Sequence, residues 1–329
     1  MRSVNFQAHD VVGIGNALVD VLSHEDDEFL GRFSMDKGAM ALIDTGRAEE
    51  IYAAMQSDRE MSGGSAANTL AGIASFGGRA AFIGRVSHDD LGRVFQHDMS
   101  ALGVDFVSLP NDSGEPTGRC LIIVTPDAQR TMNTYLGAAA DMSIAELVPD
   151  TIAAAKVTYL EGYLFDRDPA REAFHEAARI AHSAGGEVAT TLSDSFCVTR
   201  HQDEWLRLID DGTDILFANE AEITTLFATD SFEDAAAGVR GKVKIACLTR
   251  SEKGSVILHG DETYEIPAVP VPEVVDTTGA GDLYAAGFLH GYTQGMDLAR
   301  CGELGSIAAG AVIGHTGARP GESLAQLIA

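Results

Sequence analysis

The sequence predicts an α/β fold with a mainly parallel sheet, on three observations. Short apolar runs of strand length recur along the 329 residues, and segments of helical periodicity lie between many of them. The composition, 45% apolar and 22% charged, is that of a globular chain with a sizeable core. Strands alternating with helices are the pattern of a parallel sheet covered on both faces.

The first strand is the buried run Val11-Val12-Gly13-Ile14-Gly15, which leads into Asn16-Ala17-Leu18-Val19-Asp20. Further strands are predicted at 80–86, 104–109, 120–125, 156–160, 187–192, 214–218, 243–249 and 255–259. Phe174, Ala177, Ala178 and Ala181 recur at helical spacing and predict a helix over 170–184. Beyond Thr278 the chain turns helical, in two Ala- and Gly-rich segments at 280–293 and 298–313.

Two stretches break the alternation. Residues 36–44 and 117–136 read as strands with no helix between, the second folded at a turn on Asp127-Ala128. They predict a small accessory sheet. No low-complexity linker and no internal repeat divides the chain, so the expected organisation is one domain, 1–329, with a lid formed by 36–44 and 117–136.

The formal net charge of −26, without any Lys/Arg cluster, speaks against a nucleic-acid partner. Cys120, Cys197, Cys247 and Cys301 form no CxxC pair, so reduced, buried thiols are expected rather than a zinc site or a disulfide framework. Residues 1–10 contain Arg2 but no apolar run, and no segment has the length of a membrane span. The expectation is a cytoplasmic protein without a membrane partner.

The chemistry concentrates in Asp276-Thr277-Thr278-Gly279-Ala280-Gly281-Asp282, at the head of a long apolar helix. Small side chains leave the N–H groups of Gly279, Ala280 and Gly281 uncovered, and the helix dipole adds positive potential, which together make an anion hole for phosphate. Asp282 sets a carboxylate beside that hole, where it can take a proton from an attacking hydroxyl. Asn219 and Glu222 stand three apart at a helix start, a spacing that suits a capping box and equally a ligand-facing pair. Gly13-Ile14-Gly15 lacks the third glycine of a dinucleotide fingerprint, Leu18 standing there, and no G-x-x-x-x-G-K-[ST] occurs. An oxidoreductase and a P-loop ATPase are thereby set aside.

The Asp276–Asp282 motif resembles the C-terminal signature of the ribokinase-like (PfkB) carbohydrate and nucleoside kinases. An N-terminal match is Gly63-Gly64-Ser65-Ala66-Ala67-Asn68, followed by Phe76-Gly77-Gly78, Ile83-Gly84-Arg85-Val86 and Asp89-Asp90-Leu91-Gly92. A third is Asn219-Glu220-Ala221-Glu222. The three stand in the family's order and span nearly the whole chain. The resemblance implies a ribokinase-like three-layer α/β/α sandwich with a β-sheet lid, and an ATP-dependent phosphotransferase acting on an alcohol group.

It also implies roles. Asp282 would be the base, Gly279, Ala280 and Gly281 the anion hole, and Arg130 a cation over the transferred phosphoryl group. Asp20 and Asn68 would grip ring hydroxyls, with Asn16, Gly63 and Gly64 around them. Asn219 and Glu222 would order Mg2+, through water, with the ATP phosphates, and Thr249, Ser251 and Gly254 would lie near the nucleotide. Asp276 and Thr278 resemble positions that bind a monovalent cation such as K+.

Gly15-Asn16-Ala17-Leu18-Val19-Asp20 and Pro116-Thr117-Gly118 are most similar to the adenosine-kinase branch. There Met40, Cys120 and Met132, with Leu164 as a further wall, would form an apolar slot for a base. Adenosine is the expected acceptor. A free sugar or sugar acid (ribose, fructose, 2-keto-3-deoxygluconate) is the alternative, and a regulatory ligand-binding protein on the same fold is the non-enzymatic one. A homodimer paired through lid strands is the assembly the resemblance allows.

Overall fold

Side-chain alternation along a strand decides which layer each residue enters. In β1 (Val11–Ile14), Val11 joins the core on one face, and Val12 and Ile14 join the core on the other. The computed structural model describes residues 9–108, 114–127 and 129–328.

β1 is central to the large sheet. On one side lie β5 (Ala80–Ile83) and β6 (Val104–Phe106). On the other follow β9 (Val157–Glu161), β10 (Glu187–Thr191), β11 (Ile215–Asn219), β12 (Ile245–Thr249), β13 (Ser255–His259) and β14 (Glu262–Ile266). All neighbours run parallel except β12–β13 and β13–β14, which are antiparallel hairpin pairs. Helices Ser65–Ser75, Asp90–Ala101, Ala280–Thr293 and Leu298–Ile313 cover one face. Pro149–Ala154, Asp168–Ser183, Gln202–Gly212, Glu220–Leu226 and Phe232–Val239 cover the other. This is the ribokinase-like sandwich expected.

A second sheet, in the order β3–β8–β7–β2–β4, stands beside it. It comprises β2 (Leu18–His24), β3 (Met40–Leu42), β4 (Arg59–Gly63), β7 (Gly118–Val124) and β8 (Arg130–Tyr135). Alternation works here too. Val19, Val21, Leu121 and Ile123 point into the core, while Leu18, Asp20, Cys120, Ile122, Met132 and Thr134 line a cleft between the sheets. Asp89 ties the layers together: its carboxylate caps the helix Asp90–Ala101 at Gly92 N (2.8 Å) and takes the N–H and hydroxyl of Thr117.

Three strands escape the sequence reading. β4, with the sequence Arg-Glu-Met-Ser-Gly, has no apolar alternation, β14 alternates weakly, and β2 follows β1 after only three residues. Asp20 is therefore a mid-strand residue of the small sheet, paired with Met61 and Cys120, rather than one that merely follows the end of β1. The small sheet has five strands, two more than residues 36–44 and 117–136 supply. The predicted end of β6 at Leu109, and Ala128 of the predicted turn, lie outside the described residues. All four cysteines are buried and free. Among the described residues no helix is long and apolar enough to cross a membrane.

Candidate active site

The large sheet changes direction between β1 and β9: from β1 the chain builds outward through β5 and β6, then returns to place β9 on β1's other side. A crevice at the carboxyl ends of the strands is the consequence. Asn16, just past β1, and Glu161, the last residue of β9, meet there. Glu161 accepts the Asn16 side-chain amide (2.8 Å), the Asn16 N–H (3.2 Å) and the Ala66 N–H (2.8 Å). Burial pushes this carboxyl up to about 7, against the pull of those donors.

The head of the helix Ala280–Thr293 enters the crevice from the other side. Gly279 caps it with φ 81°, a left-handed conformation that favours glycine, and a Cβ there would lie 2.6 Å from Ala318 O. The Ala280 N–H turns back to Thr277 O at 3.2 Å, so the donors left for an anion are those of Gly279 and Gly281. Asp282, one residue on, is held at both oxygens. Ser65 Oγ donates at 2.6 Å and Asn68 Nδ2 at 3.0 Å. Burial raises its pKa, while Ser65, Asn68 and the Arg319 charge oppose the rise.

Gly63 and Gly64 make room for this arrangement. A Cβ on Gly63 would lie 2.4 Å from Asp20 Oδ1, and one on Gly64, at φ 100°, would lie 2.3 Å from Asn16 O. Gly63 thus clears space for a protein carboxylate, not for ligand as expected. Burial pushes Asp20 up to about 6, with Arg319 and then Arg130 opposing.

The cleft has a volume of about 670 Å³, the size of a small-molecule site. One wall carries Asp282 and the anion hole. The opposite wall is the inner face of the small sheet, where Leu18, Met40, Ile122 and Met132 are exposed to the cavity beside Asp20. Tyr163 and Phe196, 40% and 75% exposed, close its rim.

The family model of the pfkB family carbohydrate kinases matches residues 34–324. The chain belongs to this family. It is an ATP-dependent kinase, and its acceptor is a sugar or a nucleoside. A crystal structure of the adenosine kinase from Sinorhizobium meliloti is 50% identical over 98% of each chain, with a TM-score of 0.89. That of a probable sugar kinase from Rhizobium etli CFN 42 is also 50% identical, over 97% of each chain, with a TM-score of 0.89. The adenosine kinase of Saccharomyces cerevisiae is 26% identical over 330 residues, covering 93% of this chain and 95% of the yeast protein.

For a PfkB kinase, Asn219 and Glu222 have a double character. They form a full capping box: Glu222 N donates to Asn219 Oδ1 (2.8 Å) and Asn219 N to Glu222 Oε2 (3.0 Å). Yet both line the cleft, and burial, with Asp194 and Asp282 nearby, pushes Glu222 up to about 7. Among the described residues no cluster of three or more His, Cys, Asp or Glu could hold a metal ion. A buried acid crowded by acids fits Mg2+ arriving with phosphate and held through water.

Asp276 is filled by donors: Thr278 N (3.0 Å) and Thr278 Oγ1 (2.6 Å) on one oxygen, Gly317 N (2.9 Å) and the Arg130 guanidinium on the other. Burial tends to raise its pKa, but these partners outweigh it and hold the carboxyl below its usual range. A monovalent cation would have to displace Arg130, so the side chains as placed do not fit one. Arg130 likewise reaches a phosphoryl group only by leaving Asp276.

Of the nucleotide-side residues, Thr249 lines the cleft. Ser251 and Gly254 do not; they shape the turn between β12 and β13, where a Cβ on Gly254 would lie 2.0 Å from Ile266 O. Leu164 is buried in the core and its neighbour Tyr163 lines the cleft instead. Sequence reasoning also missed Ser65, Glu161, Ser193 and Arg319. Ser65 stood inside the Gly63–Asn68 motif; the others lie in no motif. Ser193 lines the cleft at φ 64°, its buried hydroxyl without a partner among the described residues.

Proposed function

We propose that this kinase transfers the γ-phosphoryl group of ATP to the primary hydroxyl of a ribonucleoside, adenosine foremost. The observation that carries the reading is the cleft's division: a carboxylate and anion hole on one wall, and an apolar wall of Leu18, Met40, Ile122 and Met132, rimmed by Tyr163 and Phe196, on the other. A base needs such a slot, whereas a free sugar needs hydrogen-bond partners. The full-length likeness to adenosine kinases supports it.

In this reading Asp20 and Asn68 bind the ribose hydroxyls, and the primary hydroxyl faces Asp282. Asp282 takes its proton as the oxygen bonds to the γ-phosphorus and the bond to the ADP oxygen breaks. The Gly279 and Gly281 amides hold the charge on the transferring oxygens. Arg130 exchanges Asp276 for the phosphoryl group as the small sheet closes as a lid and excludes water. Mg2+, when bound, neutralises phosphate charge; Glu222 and Asn219 would hold its waters. No step is assigned to K+.

The test is ADP release with Mg-ATP against adenosine, inosine, ribose, fructose and 2-keto-3-deoxygluconate. Turnover greatest with adenosine supports the reading. Turnover with a free sugar and none with adenosine overturns it in favour of the second reading, which the likeness to the Rhizobium etli probable sugar kinase favours.

A further inference from the structure

Arg319 lies beyond the helix Leu298–Ile313, in the segment Gly317-Ala318-Arg319-Pro320. Ala318 lines the cleft and Arg319 does not; its guanidinium sits behind the cleft wall. Nε donates to Asn68 Oδ1 at 3.2 Å, and Nη1 to Ser62 Oγ (2.9 Å) and Asp98 Oδ2 (3.2 Å). Nη2 is buried with no partner among the described residues.

We propose that Arg319 is a positioning residue for phosphoryl transfer, fixing the Asn68 amide and through it the Asp282 carboxylate. The inference rests on Asp282 being the base. The physical reason is directional. An amide has an acceptor end and a donor end, and a guanidinium can only donate. With Arg319 Nε on Asn68 Oδ1, the Asn68 NH2 must face Asp282, where it lies 3.0 Å from Oδ2. Ser65 holds the other oxygen. One carboxylate orientation remains, its free lone pairs aimed at the cleft.

Asp98 fixes the guanidinium in turn, and also accepts the Ser62 N–H and hydroxyl. The chain Asp98–Arg319–Asn68–Asp282 thus runs from the helix Asp90–Ala101 to the reacting centre. Arg319 also supplies the positive charge facing Asp282; Glu161, Glu222, Tyr159 and Tyr163 face it from the other elements. Asp20 faces Arg319 and Arg130.

The test is Arg319→Gln and Arg319→Lys, each read by kcat, KM, the pH profile of kcat/KM, ATP binding and thermal unfolding. Arg319→Gln is expected to lower kcat roughly 10- to 100-fold, because a misaligned base loses its near-attack geometry. Its acid limb is expected to move up by about one unit, since an opposite charge has been removed from beside the carboxylate. The same shift in an Asp20→Asn background assigns it to Asp282. Arg319→Lys keeps the charge but not the directional fork, so its limb stays in place while kcat remains lowered by about 10-fold. A folded Arg319→Gln enzyme with wild-type kcat and acid limb overturns the inference. Should the glutamine variant fail to fold, wild-type kcat in Arg319→Lys overturns it equally. Near-normal kcat in Asp282→Asn removes the base itself, an outcome distinct from a failure of Arg319.

Discussion

The two walls of the cleft are built on different principles. The wall that carries the chemistry comes from consecutive residues, Asp276 to Asp282, and each acid in it is held by named donors. The wall of the small sheet comes from every second residue of four strands, Leu18, Met40, Ile122 and Met132 among them, brought together by register. Chemistry that needs a helix start and a carboxylate is written locally. A slot for a substrate is written across the fold, and each of its residues alone is an ordinary strand residue.

The largest break in that contrast is expected from Asp282→Asn: kcat lowered roughly 10²- to 10⁴-fold with ATP binding retained, measured by steady-state kinetics and calorimetry. Next is the apolar wall. Met132→Ala together with Tyr163→Ala is expected to raise KM for adenosine about 10- to 100-fold while leaving saturated kcat within a few-fold, because the lost contacts touch the base and not the reacting atoms. Equal losses in kcat would erase the division of labour between the walls. Asp20→Ala tests the border between them: KM for the acceptor should rise by roughly 10-fold as the ribose hydroxyls lose a charged acceptor, and a 2′-deoxynucleoside panel shows which hydroxyl is read.

The last effect is on stability and not on turnover. Glu161 has its folded-state pKa raised from 4.5 to about 7, so the folded protein binds the extra proton between those values. Stability is therefore expected to fall as pH rises from about 4.5 to 7 and to level off above, by an amount on the order of 3 kcal/mol for a fully buried carboxyl. Chemical denaturation at pH 5 and pH 8 measures it, and Glu161→Gln should flatten the slope. An unchanged slope would mean that Glu161 is ionised throughout.

The sandwich was legible because β1, β5 and β9 to β13 are buried on both faces and read as apolar runs. The helices 280–293 and 298–313 were legible to the residue, their small side chains closing on one another. β4 was not, since its pairing with β2 rests on backbone hydrogen bonds that carry no side-chain signature. Of the residues expected near the nucleotide, Thr249 lines the cleft, while Ser251 and Gly254 shape a turn, and a glycine at φ 84° serves a turn as readily as a ligand.

By itself the sequence determined the layers, the family and the Gly279–Asp282 helix start, because apolar periodicity and a helix N-terminus are local properties. Only the tertiary structure decided that Arg130 stands on Asp276, that Gly63 clears space for Asp20, and that Arg319 lies behind Asn68, 251 residues away in the chain. Such contacts depend on which side chains the packed layers bring within hydrogen-bond reach, and a buried guanidinium has no sequence mark that tells its acid partner apart from any other.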